Sequence, residues 1–147
     1  MKPYFTTRLL IMLISLTSCS RKDQPQPVSS ALTGNWVGVN NTQQLGSCAW
    51  SGDLSVAVRA SFQVTTAGVI GSLTRGGATQ SISGQVTGSS VIVSEVNRVV
   101  CNSTWGSYTA RYAGSISGDT LRLTSRDTLC PMQGCIFLRT LQLVRQP

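Results

Sequence analysis

The chain has 147 residues, a formal charge of +7 and no histidine, so it lacks the side chain most often used as a general base or metal ligand near neutral pH. Gly, Ser, Thr and Val dominate beyond residue 31, where Glu and Lys are almost absent, and this composition favours strands and turns over helices. Every basic residue in that part is an arginine, and the arginines are scattered rather than clustered, which argues against a nucleic-acid-binding surface.

The first 18 residues have the organisation of an export signal. Lys2 and Arg8 precede an apolar run that is shorter than the about 20 residues a membrane span needs. The run ends in Leu16-Thr17-Ser18-Cys19, which resembles the bacterial lipobox. The resemblance implies cleavage before Cys19, acylation of the Cys19 sulfur and attachment to a membrane through several acyl chains.

The lipobox resemblance also implies a location. Ser20 rather than Asp follows the cysteine, which in Gram-negative lipoproteins implies the outer membrane, with the protein facing the periplasm. In a Gram-positive source the same signal implies the outer face of the plasma membrane. We predict a signal peptide at residues 1–18, a lipidated cysteine with a polar, proline-bearing tether at 19–31, and one folded domain at 32–147. Removal of the leader leaves a formal charge of +5.

The folded part is predicted to be all-β. Residues 54–65 alternate apolar and polar side chains with a period of two, which is typical of a strand with one buried face. Short turns, most of them containing glycine, separate further segments of the same kind. We predict eight strands, at residues 35–40, 54–65, 69–75, 79–87, 91–101, 105–116, 121–129 and 136–145. Their sequential order favours an eight-stranded antiparallel up-and-down β-barrel, with a two-sheet β-sandwich as the alternative.

The cysteines beyond Cys19 fit an oxidising compartment. An even number of them indicates two disulfides, and three pairings are open: the residues are Cys48, Cys101, Cys130 and Cys135. In the barrel order all four lie in or beside the connections at one end, which favours Cys48–Cys101 and Cys130–Cys135. The spacing does not fit a four-cysteine zinc site, and neither a metal nor a cofactor is expected.

The first strand opens with Gly34-Asn35-Trp36. A G-x-W at this place resembles the lipocalin and avidin-like barrels of the calycin group. The resemblance implies structural roles for Gly34, Trp36 and Arg145: the tryptophan closes one end of the barrel and the arginine of the last strand packs across it. Arg139 is the less favoured partner because it is nearer the opposite end. A tryptophan that only fills the core is the alternative.

Several side chains are candidates for the barrel interior. Tyr108 and Tyr112 share one face of the sixth strand and are predicted to line a ligand site, with Trp50 or Trp105 at its mouth. Small residues on inward positions are expected to leave room: Ala60, Gly71, Gly84, Ala110 and Gly114. Glu95 shares the parity of Val91 and Val93, so it either faces inward against an arginine or lies outward on a mixed strand; the outward position is the expected one.

No catalytic motif accompanies these residues. Glu95, Asp53 and Asp127 are the only acids outside the tether and turns, and their spacing does not indicate the paired carboxylates of a glycosidase. We therefore expect a non-enzymatic protein that binds a small apolar ligand or lipid inside the barrel. The alternative is an envelope adaptor or inhibitor that binds a protein partner through its disulfide-linked loops. The membrane is an expected partner through the lipid anchor, and nucleic acid is not.

Overall fold

The computed structural model describes residues 31–46, 55–101, 104–129 and 134–147. They form a closed barrel of eight strands in which each strand is antiparallel to the next and β8 pairs with β1. The all-β class and the up-and-down barrel order predicted from the sequence are confirmed. The strands are β1 (Gly34–Leu45), β2 (Ser55–Thr65), β3 (Gly68–Arg75), β4 (Ala78–Thr87), β5 (Ser90–Cys101), β6 (Thr104–Ser117), β7 (Thr120–Leu129) and β8 (Cys135–Arg145).

The first strand is longer than its sequence pattern predicts. The prediction ended it at Asn40, whereas β1 continues to Leu45. Residues 41–45 are mostly polar and show no clear alternation of apolar side chains. They are extended because they pair with residues 136–140 of β8. Barrel closure supplies these hydrogen bonds, which the local sequence pattern does not predict.

The two ends of the barrel differ. Tight turns join β2 to β3, β4 to β5 and β6 to β7 at the end where the chain enters at residue 31, and we call this the closed end. The opposite end, called the loop end, carries the connections of which residues 47–54, 102–103 and 130–133 lie outside the described part. Cys101 ends β5 and Cys135 begins β8, both at the loop end. Each favoured disulfide includes a cysteine outside the described residues, so the pairing stays a prediction.

The closed end is covered by Trp36, which is fully buried. Its indole Nε1 donates a hydrogen bond to the carbonyl oxygen of Leu32 at 3.0 Å. The guanidinium of Arg145 lies 4.8 Å from the centroid of the Trp36 ring and donates to the carbonyl oxygen of Thr33 at 2.7 Å. Phe62 meets the indole edge-on, with ring centroids 6.4 Å apart. These hydrogen bonds hold the segment before β1 over the closed end of the barrel.

Apolar side chains fill the half of the barrel next to the closed end. Apart from Leu32, which precedes β1, they come from the inward positions of the eight strands, so the alternation seen in the sequence becomes one continuous core. Its fully or almost fully buried members include Leu32, Trp36, Val58, Phe62, Val69, Leu73, Val91, Val93, Ile116, Leu121, Leu123, Leu141 and Leu143. Within the described ranges, no helix is long and apolar enough to cross a membrane.

Glycines at interior positions let neighbouring strands come close together. A Cβ built on Gly71, Gly84 or Gly114 would lie 1.9–2.0 Å from a backbone oxygen of the adjacent strand, and one on Gly38 would lie 1.8 Å from such an oxygen. The space that a side chain would need is occupied by main chain, which allows the strong bending of a small barrel. The expectation that Gly71, Gly84 and Gly114 leave room for a ligand is therefore wrong.

A buried polar layer as the candidate site

Polar and charged side chains form a layer inside the barrel, between the apolar core and the loop end. They belong to inward positions of β3, β5, β6, β7 and β8, and hydrogen bonds or ion pairs join them into two groups. The layer consists of Arg75, Glu95, Asn97, Tyr108, Tyr112, Ser125, Asp127 and Arg139. We call this set the polar layer.

Glu95 is the centre of the first group, and its side chain is fully buried. Its carboxylate accepts hydrogen bonds from Arg75 Nη2, from Asn97 Nδ2 at 2.9 Å and from the Tyr112 hydroxyl at 2.9 Å. Arg75 Nη1 also donates to the Tyr112 hydroxyl oxygen at 3.3 Å. The expected outward position of Glu95 is wrong, because its parity with the buried Val93 holds and a guanidinium from β3 neutralises the buried charge.

The second group is built on Asp127 and Arg139, whose side chains are 7% and 8% exposed. Arg139 Nη1 donates to Asp127 Oδ2 at 2.5 Å, and the Ser125 hydroxyl donates to the same oxygen at 2.9 Å. Arg139 Nη2 donates to the Tyr108 hydroxyl at 2.6 Å. The guanidinium also lies 5.4 Å from the ring centroid of Phe137 and 5.6 Å from that of Tyr108, within the range of cation–π attraction.

Burial and neighbouring charges set the protonation of this layer. Burial raises the pKa of Tyr112 to about 12, although the charge of Arg75 opposes the rise, and burial likewise raises the pKa of Tyr108. Burial on its own lowers the pKa of Arg75 and Arg139, but Tyr112 and the other acidic groups nearby outweigh it, so both values are raised. The raised pKa values keep both phenols protonated at neutral pH, beside two positively charged guanidinium groups.

The excess positive charge of the domain lies on its outer wall. Among the described residues, five arginines are exposed on outward positions of the strands: Arg59, Arg98, Arg111, Arg122 and Arg126. The interior arginines are matched by interior carboxylates, so the barrel lumen is close to electroneutral while the exterior is basic.

Asn40 is also buried and polar, but it differs from the polar layer in its hydrogen bonding. It lies on β1, is 4% exposed and stands opposite Leu141 of β8. Its side-chain oxygen Oδ1 has no hydrogen-bond partner within the described part of the chain. Neither Asn40 nor Arg75 was predicted from the sequence to belong to the site. Strand parity could have indicated that Asn40 faces the interior, because Asn40 has the same parity as Trp36 on β1.

The structure brings together only part of the site predicted from the sequence. Tyr108 and Tyr112 both face the interior and belong to the polar layer. Trp50 and Cys19 lie outside the described residues. The backbone of Trp105 belongs to β6, but its side chain is not described. Within the described ranges, no three Cys, Asp or Glu side chains come together in an arrangement that could hold a metal ion.

No protein-family model, curated protein or solved structure matches this chain. The assignment of a function therefore depends on the barrel, on the polar layer and on the signals in the sequence.

Proposed function

We propose that the protein is a membrane-anchored, non-catalytic binding protein whose barrel takes a small, largely apolar ligand or a lipid through the loop end. The polar layer is the observation that carries this proposal. Charged groups lose hydration when they are buried, and apolar side chains of similar volume often replace a buried ion pair without loss of stability. Two such pairs in one small barrel are more than the packing of its core requires.

The composition of the layer defines what a ligand would meet. Leu129 and Phe137 form a small apolar cluster near the loop end, and the half-buried ring of Tyr108 packs against it. Deeper in the barrel the ligand would reach the guanidinium and hydroxyl groups of the polar layer. A molecule with an apolar body and one polar end fits this order of surfaces.

A catalytic role receives no support from the layer. Glu95 and Asp127 are each held in an ion pair with an arginine and accept further hydrogen bonds, so both carboxylates already balance a buried guanidinium. Binding without reaction is therefore the function that this arrangement supports best.

The position of residue 31 bears on how a lipid anchor would orient the barrel. Residue 31 enters the barrel at the closed end, so a tether from an acylated Cys19 would attach there. The loop end would then face away from the bilayer, towards the periplasm in a Gram-negative cell, and be accessible to a ligand. The closed eight-stranded barrel and the Arg145–Trp36 contact also support kinship with the calycin group.

Native mass spectrometry of the protein extracted from its own envelope tests the proposal. We expect acyl chains on the polypeptide and a retained small molecule. Tyr108→Phe removes a hydroxyl of the polar layer and should lower the retained fraction, whereas Thr109→Ala changes an exposed neighbour on the same strand and should not. A mass equal to that of the acylated polypeptide alone would count against ligand binding.

Proteins that co-purify from the same extract test the alternative, which is an adaptor or inhibitor that binds a protein partner at the loop end. Co-purification of one stoichiometric protein, lost in Trp50→Ala but kept in Tyr108→Phe, would favour that function. Retention of a small molecule that is sensitive to Tyr108→Phe favours the binding barrel.

A further inference from the structure

The amide oxygen of Asn40 is a hydrogen-bond acceptor that the described protein leaves unsatisfied. The residue is 4% exposed, and its Oδ1 has no hydrogen-bond partner among residues 31–46, 55–101, 104–129 and 134–147. Buried polar groups in folded proteins almost always have a partner, because an unpaired one keeps the full penalty of lost hydration. An exception of this kind calls for a partner that the described residues do not supply.

The position of Asn40 relates this acceptor to the polar layer. It faces Leu141, a buried residue of the core, across the β1–β8 pairing. Arg139 has the same parity as Leu141, two positions nearer the loop end, and belongs to the polar layer. The guanidinium of Arg139 is directed to Asp127 and Tyr108 rather than to Asn40. The free acceptor therefore lies at the boundary between the apolar core and the polar layer.

We propose that Asn40 Oδ1 accepts a hydrogen bond from an uncharged N–H or O–H group at the polar end of the bound ligand, such as a primary amide or an alcohol. The inference rests on the proposed ligand-binding function and names the chemistry of that site. An uncharged head group is favoured because the two arginines of the layer are already matched by Glu95 and Asp127. An ionic head would enter the barrel without a free countercharge.

A series of probes with one apolar chain and different heads tests this assignment. The mature lipidated protein is placed in nanodiscs and titrated with hexanamide, methyl hexanoate, hexanoate and hexylamine, and titrations of empty nanodiscs are subtracted. We expect hexanamide to bind roughly tenfold more tightly than methyl hexanoate, which has no donor, and more tightly than either ion. Asn40→Leu should reduce the preference for the amide to less than about twofold.

Asn41→Leu is the matched control, because Asn41 is the exposed neighbour on β1, and it should keep the preference for the amide. Equal binding of all four heads to the native protein would overturn the role of Asn40 and leave the binding function standing. Failure of every probe to bind would overturn both.

Thermal unfolding of the ligand-free protein provides a second readout. If the Asn40 oxygen is paired only when a ligand is bound, Asn40→Leu removes an unpaired buried acceptor from the ligand-free protein. The melting temperature should then stay unchanged or rise. If Asn40 instead stabilises the barrel, the same change should lower the melting temperature by several degrees. That result would overturn the assignment.

Discussion

Removal of the charge of Glu95 should destabilise the barrel strongly. Its carboxylate is fully buried and accepts hydrogen bonds from Arg75, Asn97 and Tyr112. In Glu95→Gln the guanidinium of Arg75, whose side chain is 17% exposed, keeps its positive charge in the interior without its counterion. Loss of one partner of a buried ion pair costs about 3–5 kcal/mol, so we expect the free energy of unfolding to fall by that amount.

Urea unfolding of the mature protein with its cysteines oxidised measures this change through the midpoint and the slope. Asp119→Asn is the matched control: Asp119 faces Arg145 at 3.4 Å, but its side chain is 78% exposed, so the loss should be below about 1 kcal/mol. The double variant Arg75→Gln/Glu95→Gln has no uncompensated charge and should regain at least half of the loss. If Glu95→Gln costs less than about 1 kcal/mol, or if the double variant is no more stable than the single one, the unpaired charge of Arg75 is not what destabilises the barrel.

Three further predictions concern the closed end, the strand contacts and the tyrosines. Arg145→Ala should lower the unfolding free energy by about 1–2 kcal/mol, measured in urea, because it removes the guanidinium 4.8 Å from the Trp36 ring; an unchanged midpoint would contradict this. Gly114→Ala should lower the free energy of unfolding by about 3 kcal/mol or more, because the new Cβ would lie 1.9 Å from a backbone oxygen. Gly88→Ala should lower it by only about 1–2 kcal/mol, because Gly88 is in open space and only its positive φ of 57° disfavours a side chain. Because the pKa of Tyr112 is about 12 in the folded protein and 10.0 ordinarily, the folded state holds a proton that the unfolded chain releases. The protonated Tyr112 therefore contributes fully to the free energy of unfolding below pH 10, and about 2–3 kcal/mol of that free energy is lost as the pH rises to 12. Tyr112→Phe should make this loss smaller when the unfolding free energy is measured across the same pH range.

The class of fold could be predicted from local patterns in the sequence. Alternation with a period of two is a local property, and so is the chemistry of the turns, so the number and order of the strands could be predicted from residues such as those between Val58 and Val64. The same parity assigned Tyr108 and Tyr112 to the interior. For Glu95 the parity also indicated the interior, but an outward position was expected, because a single carboxylate on a strand shows nothing about whether a cation lies across the barrel.

Which side chains meet inside the barrel depends on the fold as a whole. Arg75 and Glu95 lie on β3 and β5, so their contact depends on strand tilt and register, which local patterns do not encode. The extension of β1 to Leu45 likewise depends on pairing with β8, a strand from the other end of the chain. The lack of a hydrogen-bond partner for the Asn40 oxygen among the described residues is a property of the assembled interior, because it depends on which side chains the other strands place around it.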